Sequence, residues 1–349
     1  MSSSHPFVCR RVAAGVIVVG LLGSCADSDS QTSITLGSDD APTSTATEGM
    51  TADRASELCA RTGVSEAGDV ENDALTEASG LVASRTYPEV VWSHNDGSDG
   101  RLFAIGADGR DLGVHELVVE GVDDIEDIAL ISGPDGSEAL LADIGDNDVD
   151  RSAIRIYRFP EPDPRSAGPI EEIEVLEYVY PDRPHNAETL LVDQASDVLV
   201  IVTKAQLTDD GVQGDLGSTA ASYVFEGPLG GASEAPIELR AVGIIDMVAL
   251  EERAEKSPRH PTRLIGAAGV PTGGDVSADG SLIALRTYET VWVWPRLEQQ
   301  SVAEALLGEP CEVGAAFEVQ GEAVAFTSEG LATLGEGVNR PLHLIGSSQ

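Results

Sequence analysis

Five segments of this chain open on an acidic residue and, in most, continue as a run of small and branched apolar side chains: Glu77–Val82, Glu126–Ile131, Glu188–Asp193, Asp275–Gly280 and Glu322–Thr327. Their first residues are 49, 62, 87 and 47 positions apart. Between them lie further short runs rich in Val, Ile and Leu, punctuated by turn pairs such as Asp279-Gly280 and Glu329-Gly330. Helical spacing is rarely sustained, and alternation over a handful of residues between turn signals reads as strand. A unit of just under 50 residues holding several strands cannot bury both faces alone, so repetition of it predicts an all-β ring of blades, a β-propeller.

The first unit parses into strands at 80–83, 90–94, 102–105 and 114–119, and the second into strands at 128–131, 139–144, 154–159 and 173–178. This count predicts five blades. A sixth inside the 87-residue interval is the alternative, but Met247–Arg263, with its cluster of charges and prolines, reads as a polar insertion. Its basic end, Lys256–Arg263, reads as a solvated loop, with docking of a partner as the alternative.

The N-terminus has a different character. Arg10 and Arg11 precede an apolar run from Val12 to Leu22, then Gly23, Ser24 and Cys25. Eleven helical residues cover about 16 Å, half the hydrocarbon core of a bilayer, so the run suits a cleaved signal peptide over residues 1–24 better than a permanent span. Leu22-Gly23-Ser24-Cys25 resembles the bacterial lipobox, which implies a diacylglycerol on Cys25 and anchorage on the outer face of the cell membrane. Residues 25–58, largely Ser, Thr, Asp, Gly and Pro, read as a lipidated, disordered tether, and 59–349 as the propeller domain. Once Cys9 is removed and Cys25 modified, Cys59 and Cys311 remain. In an oxidising compartment they are expected to pair.

The segments Trp92-Ser93-His94-Asn95-Asp96-Gly97, Glu126-Asp127-Ile128-Ala129, Asp143-Ile144-Gly145-Asp146-Asn147 and Leu285-Arg286-Thr287-Tyr288 together resemble a family of exported bacterial β-propeller proteins of undetermined function. The resemblance covers roughly residues 74–345. Architecture and acidic loops alone give a looser likeness to secreted phytase-like and esterase-like propellers. No activity is inherited from either.

In a blade the first two strands are antiparallel, so the start of one and the end of the next share a face. The starts supply Glu77, Glu126, Asp127, Glu188, Asp275 and Glu322, and the ends supply Asp96, Asp143 and Asp146, making nine candidate metal ligands around one mouth. The same ends supply His94, Asn95, Lys204, Arg286 and Tyr288 as candidate ligand-binding groups, with Glu336 beside them. Crowded carboxylates cannot all ionise unless a proton or a cation joins them, and an irregular set of oxygens suits Ca2+. The competing reading makes the blade-start acids structural locks between neighbouring blades. An EF-hand is excluded because Arg151 and Tyr157 stand where its Gly and Glu belong. Ser93, Ser277 and Ser328 lack a nucleophile-elbow setting. Trp292 and Trp294 are expected to pack between blades.

A formal charge of −39 repels nucleic acid. Three functions remain: a surface lipoprotein whose mouth binds a divalent cation or a small anionic ligand; a metal-assisted hydrolase of a phosphoester or similar anion; and a metal-free scaffold for a protein partner. The anchor is testable directly. Cys25→Ala is expected to shift the protein from membranes into the medium with its domain intact, and mass spectrometry showing an unmodified Cys25 in the membrane-bound wild type would refute the lipid assignment.

Overall fold

The computed structural model describes residues 44–346 apart from 62, 135, 167, 209–210, 214–220, 231–234, 259–266 and 319. The signal peptide, Cys25, the tether up to residue 43 and part of the 256–263 loop lie outside the described residues. Five antiparallel sheets follow one another as the blades of a propeller. Blade 1 comprises Ala78–Ala83, Val90–Asn95, Arg101–Gly106 and Asp111–Glu116. Blade 2 comprises Ile125–Gly133, Gly136–Asp143, Ile154–Pro160 and Glu174–Val179, with the short Ile237–Glu238 added in parallel at its edge. Blade 3 holds Ala187–Asp193, Val198–Thr203, Ala221–Pro228 and Arg240–Asp246, and blade 4 holds Pro271–Val276, Leu282–Thr287, Thr290–Pro295 and Cys311–Gly314. Blade 5 holds Gly321–Thr327, Gly330–Gly335 and Pro341–Ile345, and its outer strand, Val64–Asp69, comes from the start of the domain. Ring closure is therefore made by backbone hydrogen bonds between the two ends of the domain.

The core is distributed over the contacts between neighbouring blades. Trp92, Leu102, Ile128 and Tyr157 share the packing of blades 1 and 2. Trp292 and Trp294 lie fully buried between blades 3 and 4, as their alternation in Thr290–Pro295 implies. The long interval between the third and fourth units holds no further blade among its described residues. It supplies the last two strands of blade 3 and a helix, Met247–Lys256, capped by Asp246 and buried through Met247, Leu250 and Ala254 against the same contact.

One boundary is corrected. Residues 44–58, assigned to the tether by their polar composition, belong to a helix, Ser44–Ala60. Ala55, Leu58 and Cys59 recur at helical spacing and bury one face against Leu282, Val293, Val313, Val324 and Ile345 of blades 4 and 5. A composition average dilutes so narrow a stripe. Arg54 adds contacts to Asp279 and Ser281, and Cys59 is bonded to Cys311 with α-carbons 6.0 Å apart across 252 residues. The helix is thus stapled to the outer strand of blade 4 immediately before the chain enters blade 5.

Replacing both cysteines, Cys59→Ala with Cys311→Ala, is expected to lower unfolding free energy by about 2–5 kcal/mol, as for removal of a disulfide closing a long loop. Denaturant titration in non-reducing buffer measures it. An unchanged midpoint would show that the staple contributes nothing to closure.

Candidate functional site

Each inner strand carries one β-bulge near its start. The register with the second strand shifts between Ser79 and Leu81, Ile125 and Asp127, Ala187 and Thr189, Pro271 and Gly273, and Gly321 and Ala323. The residues left over are Gly80, Glu126, Glu188, Thr272 and Glu322. A bulge re-aims a side chain, and here it does so once per blade at one end of the channel. The five-fold set is consequently three glutamates, one threonine and one glycine. Glu77 and Asp275 do not belong to it, being displaced by three residues in opposite directions. Alignment on acidity alone had matched them to the wrong backbone positions.

Asp275 and Asp127 are blade locks. Asp275 accepts from Val276 N at 2.8 Å and, across the blade contact, from Phe326 N at 2.7 Å. Asp127 accepts from Ile128 N, Leu190 N and Gly274 N, tying blades 2, 3 and 4 together below the mouth. At the far end of the channel Arg85 reaches Val276 O over a cavity of about 40 Å³.

Asp143 and Asp146 also serve the backbone. Asp143, fully buried, receives Asp123 N, Asp124 N and the Tyr157 hydroxyl and pairs with Arg151 at 2.7 Å. Asp146 closes its loop by accepting from Asp150 N and Arg151 N. Asn95 spends its amide on Thr76 N, Glu77 N, Ala74 O and Asp99. His94 is buried with Nδ1 on Asn95 O, and desolvation lowers its pKa to about 4, so its ring is neutral. Arg286 is wholly buried against Glu318 at 2.6 Å, and Glu318 also holds His343 and Thr333. Gly321 leaves the space this guanidinium occupies, since a Cβ there would overlap it. These assignments remove His94, Asn95 and Arg286 from the ligand-facing set and Asp127, Asp143, Asp146 and Asp275 from the metal-facing one.

What gathers at the mouth is a smaller group. Asp96, Asp124 and Glu126 each place a carboxylate oxygen within 4.8 Å of the others. Gly145 makes the approach possible: a Cβ on it would stand 2.2 Å from Glu126 Oε1 and 2.4 Å from an Asp124 oxygen. Asp124 was absent from the sequence-derived set. Its signal was the acidic run Asp123–Asp127, in which positions 124 and 126 lie on one side of an extended chain. Lys204 pairs with Glu188 at 2.5 Å and stands 5.8 Å from the Tyr288 ring. Glu336 lies near Glu322, whose Oε2 is buried. Glu77 is exposed at the rim, near enough to Asp96 to raise its pKa.

Burial, then mutual repulsion, displaces these acids upward. Asp124 rises to about 6 through burial and the nearby Asp96. Glu188 rises to about 7 through burial, although Lys204 opposes it. Glu126 and Glu322 are pushed well above the usual carboxylate range by burial and by Glu188. Lys204 moves up despite burial, because Glu188, Tyr288, Glu126 and Glu322 favour its charge. The mouth is therefore an oxygen-lined site short of positive charge, able to take up protons or a hard cation.

No family model matches the chain, and no curated protein matches it. Solved structures are similar in outline. A chain of a nidogen–laminin complex has a TM-score of 0.38 at 12% identity, covering 75% of this chain and 73% of that one. The β-propeller domain of Cps50 (Swd1) from Myceliophteria thermophila has a TM-score of 0.34 at 16% identity, covering 78% and 84%. Raptor from Chaetomium thermophilum has a TM-score of 0.42 at 12% identity, covering 85% of this chain and 30% of its own. Scores so low bear on no function.

The raised carboxylates make stability fall with rising pH. A carboxyl whose folded pKa exceeds its unfolded value of about 4 contributes stability at low pH that is lost as pH climbs through the folded pKa. Asp124 titrates near 6 and Glu188 and Asp275 near 7, and Glu126 and Glu322 are pushed in the same direction by burial and by Glu188. His94, lowered to about 4, acts oppositely, but only below its unfolded pKa. In metal-free buffer the melting temperature is thus expected to fall between about pH 5 and 7.5, the three acids outweighing His94 in the lower part of that range. A flat or rising profile in that window would exclude the crowded-acid description.

Proposed function

We propose that the protein is an exported, membrane-tethered binding module whose propeller mouth takes a divalent cation, with Ca2+ the best match. The observation that carries this reading is the convergence of Asp96, Asp124 and Glu126 around the space left by Gly145. All donors are hard oxygens in irregular array, and calcium tolerates such a set where magnesium demands a small octahedron and keeps its waters. A propeller suits a binding or scaffold role, and the lipobox-like Leu22-Gly23-Ser24-Cys25 supports attachment through a lipid on Cys25.

The hydrolase reading loses its anion clamp. Lys204 is paired with Glu188, and Arg286 is wholly buried, with Nη2 on Glu318 and Nε and Nη1 unpartnered in the interior, where a phosphoester does not reach. The metal-free scaffold reading keeps its support at Asp127 and Asp275, which act as locks, but it does not account for the trio.

Calcium is expected to raise the melting temperature, contributing about 2.7 kcal/mol at a hundredfold excess over Kd. Magnesium should help less. Asp124→Asn and Glu126→Gln should blunt the response while the apo protein remains folded. If millimolar calcium leaves the melting curve unmoved, the cation reading is wrong.

A further inference from the structure

We infer that the groove between blades 5 and 1 docks a segment of a partner protein, amphipathic and basic, in the place where every other pair of neighbouring blades is covered by this chain itself.

The series of covers around the ring carries this inference. In blades 2, 3 and 4 the connection from third to fourth strand is long, 161–173, 229–239 and 296–310, and each is laid on the blade before it. Ile170 exchanges backbone hydrogen bonds with Glu116 and Val118 at the end of blade 1's outer strand, and is buried with Leu117 where blades 1 and 2 meet. Ile237–Glu238 joins the outer strand of blade 2, and Leu229 and Leu239 are buried in the contact of blades 2 and 3. The connection of blade 4 forms the short helix Val302–Leu306, whose apolar residues pack against blade 3, and Leu307 lies over Gly243 of that blade's outer strand. Blade 5 takes its fourth strand from the start of the domain, and the helix Ser44–Ala60 ahead of it covers blade 4 in the same way. Blade 1 breaks the series. Its connection is the turn 107–110, which reaches Glu71 N through Gly109 O, just past the outer strand of blade 5, and goes no further. What remains is a groove of about 660 Å³, lined by Ala67 and Leu344 of blade 5 and Ala83 of blade 1, apolar side chains that are only partly buried.

The rim selects the occupant. Glu89, Asp108 and Glu329 border the groove, and Arg110, the one basic residue lining it, is paired with Asp108 at 3.6 Å. Among the described residues Glu89 and Glu329 make no ion pair. A glutamate stands at position 89 although its φ of 64° lies in the left-handed region that favours glycine. An apolar floor between uncompensated acids fits a segment with small apolar side chains on one face and Lys or Arg beside them. The covering connections set its length at about a dozen residues. The same charge argues against other occupants. Two copies of a chain of formal charge −39 repel each other, and residues 26–43, ahead of the helix, carry four aspartates and no basic residue.

The test titrates a fluorescent peptide into the Cys25→Ala chain, which carries no lipid and needs no detergent to compete for an apolar groove. Physiological salt screens long-range attraction to the acidic surface. The probe is about a dozen residues long, with Ala and Leu on one helical face and Lys on the other. A scramble of the same composition, a version with Glu in place of Lys, and laurate are the comparisons. The probe is expected to bind, and the scramble and the acidic version to bind at least about tenfold more weakly. Ala67→Trp, which fills the groove, should weaken the probe about tenfold, the effect of one apolar side chain left in water. Ala107→Trp, on the turn beside it, serves where Ala67→Trp fails to fold. Glu89→Gln combined with Glu329→Gln should also weaken it, with the melting response to calcium unchanged. A scramble that binds as tightly as the probe, laurate bound in the groove in place of the peptide, an affinity that neither tryptophan alters, or a dimer in sedimentation that Ala67→Trp dissolves would each overturn the inference. So would the absence of peptide binding at millimolar concentration.

Discussion

A bulge near the start of each inner strand places one side chain per blade at the narrow end of a shared channel, and the chemistry of the mouth follows from which residues occupy those five places. Three are glutamates, and all three are buried. Gly80 and Thr272 fill the other two places, so the charge is concentrated on blades 2, 3 and 5. Lys204, from the end of the second strand of blade 3, offsets one glutamate by pairing with it. The remainder must hold protons or a cation, because repulsion at low dielectric is too costly for full ionisation. The rest of the mouth is consistent with that demand: Asp96 and Asp124 bring further oxygens to Glu126, and Gly145 withholds the side chain that would keep them apart.

The acids that do not face the mouth have a different task, and the contrast between the two sets is physical. Asp127, Asp143, Asp146 and Asp275 each accept two or more backbone N–H groups. Such bonds supply in the protein what water supplies outside, so a buried carboxylate of this kind is a joint. Asp143 is the joint nearest the site. By receiving the amides of Asp123 and Asp124 it fixes the loop that presents Asp124 to Glu126, and Arg151 and Tyr157 hold Asp143 in turn. Among the described residues no backbone amide donates to the carboxylates of Glu322 or Glu126, which sets these two acids apart from the ones used as joints.

This distinction explains how far the sequence could be read. Strand order, the five blades, the shared face of first and second strands and the pairing of Cys59 with Cys311 were legible, because periodicity and turn chemistry act locally and a propeller repeats them. The second-strand ends Asp96, Lys204, Tyr288 and Glu336 reached the mouth for the same reason. Register was not legible. A one-residue bulge reverses which side chains face the channel, and acidity alone cannot tell Glu77 or Asp275 from Glu126. Nor does sequence reveal which carboxylates meet backbone amides, or that Glu318 lies where it captures Arg286. Asp124 was missed because it precedes the strand, on a loop whose path depends on Asp143. The helix over residues 44–60 was missed because its apolar stripe is short and makes sense only against blades 4 and 5.

Closure of the ring bears on the mouth as well. The last blade is completed by a strand from the start of the domain, and blade 5 contributes Glu322 and Glu336 to the site. Anything that loosens Val64–Asp69 from its partner therefore reaches the acids through blade 5. The disulfide precedes Val64 in the chain, so the helix is fastened to blade 4 before the closure strand begins. The contacts of Arg54 with Asp279 and of Arg61 with Gly346 hold the same segment on either side of the bridge's helix face. A mouth built from carboxylates that repel one another needs a frame that does not yield, and covalent fastening next to the closure strand contributes to it.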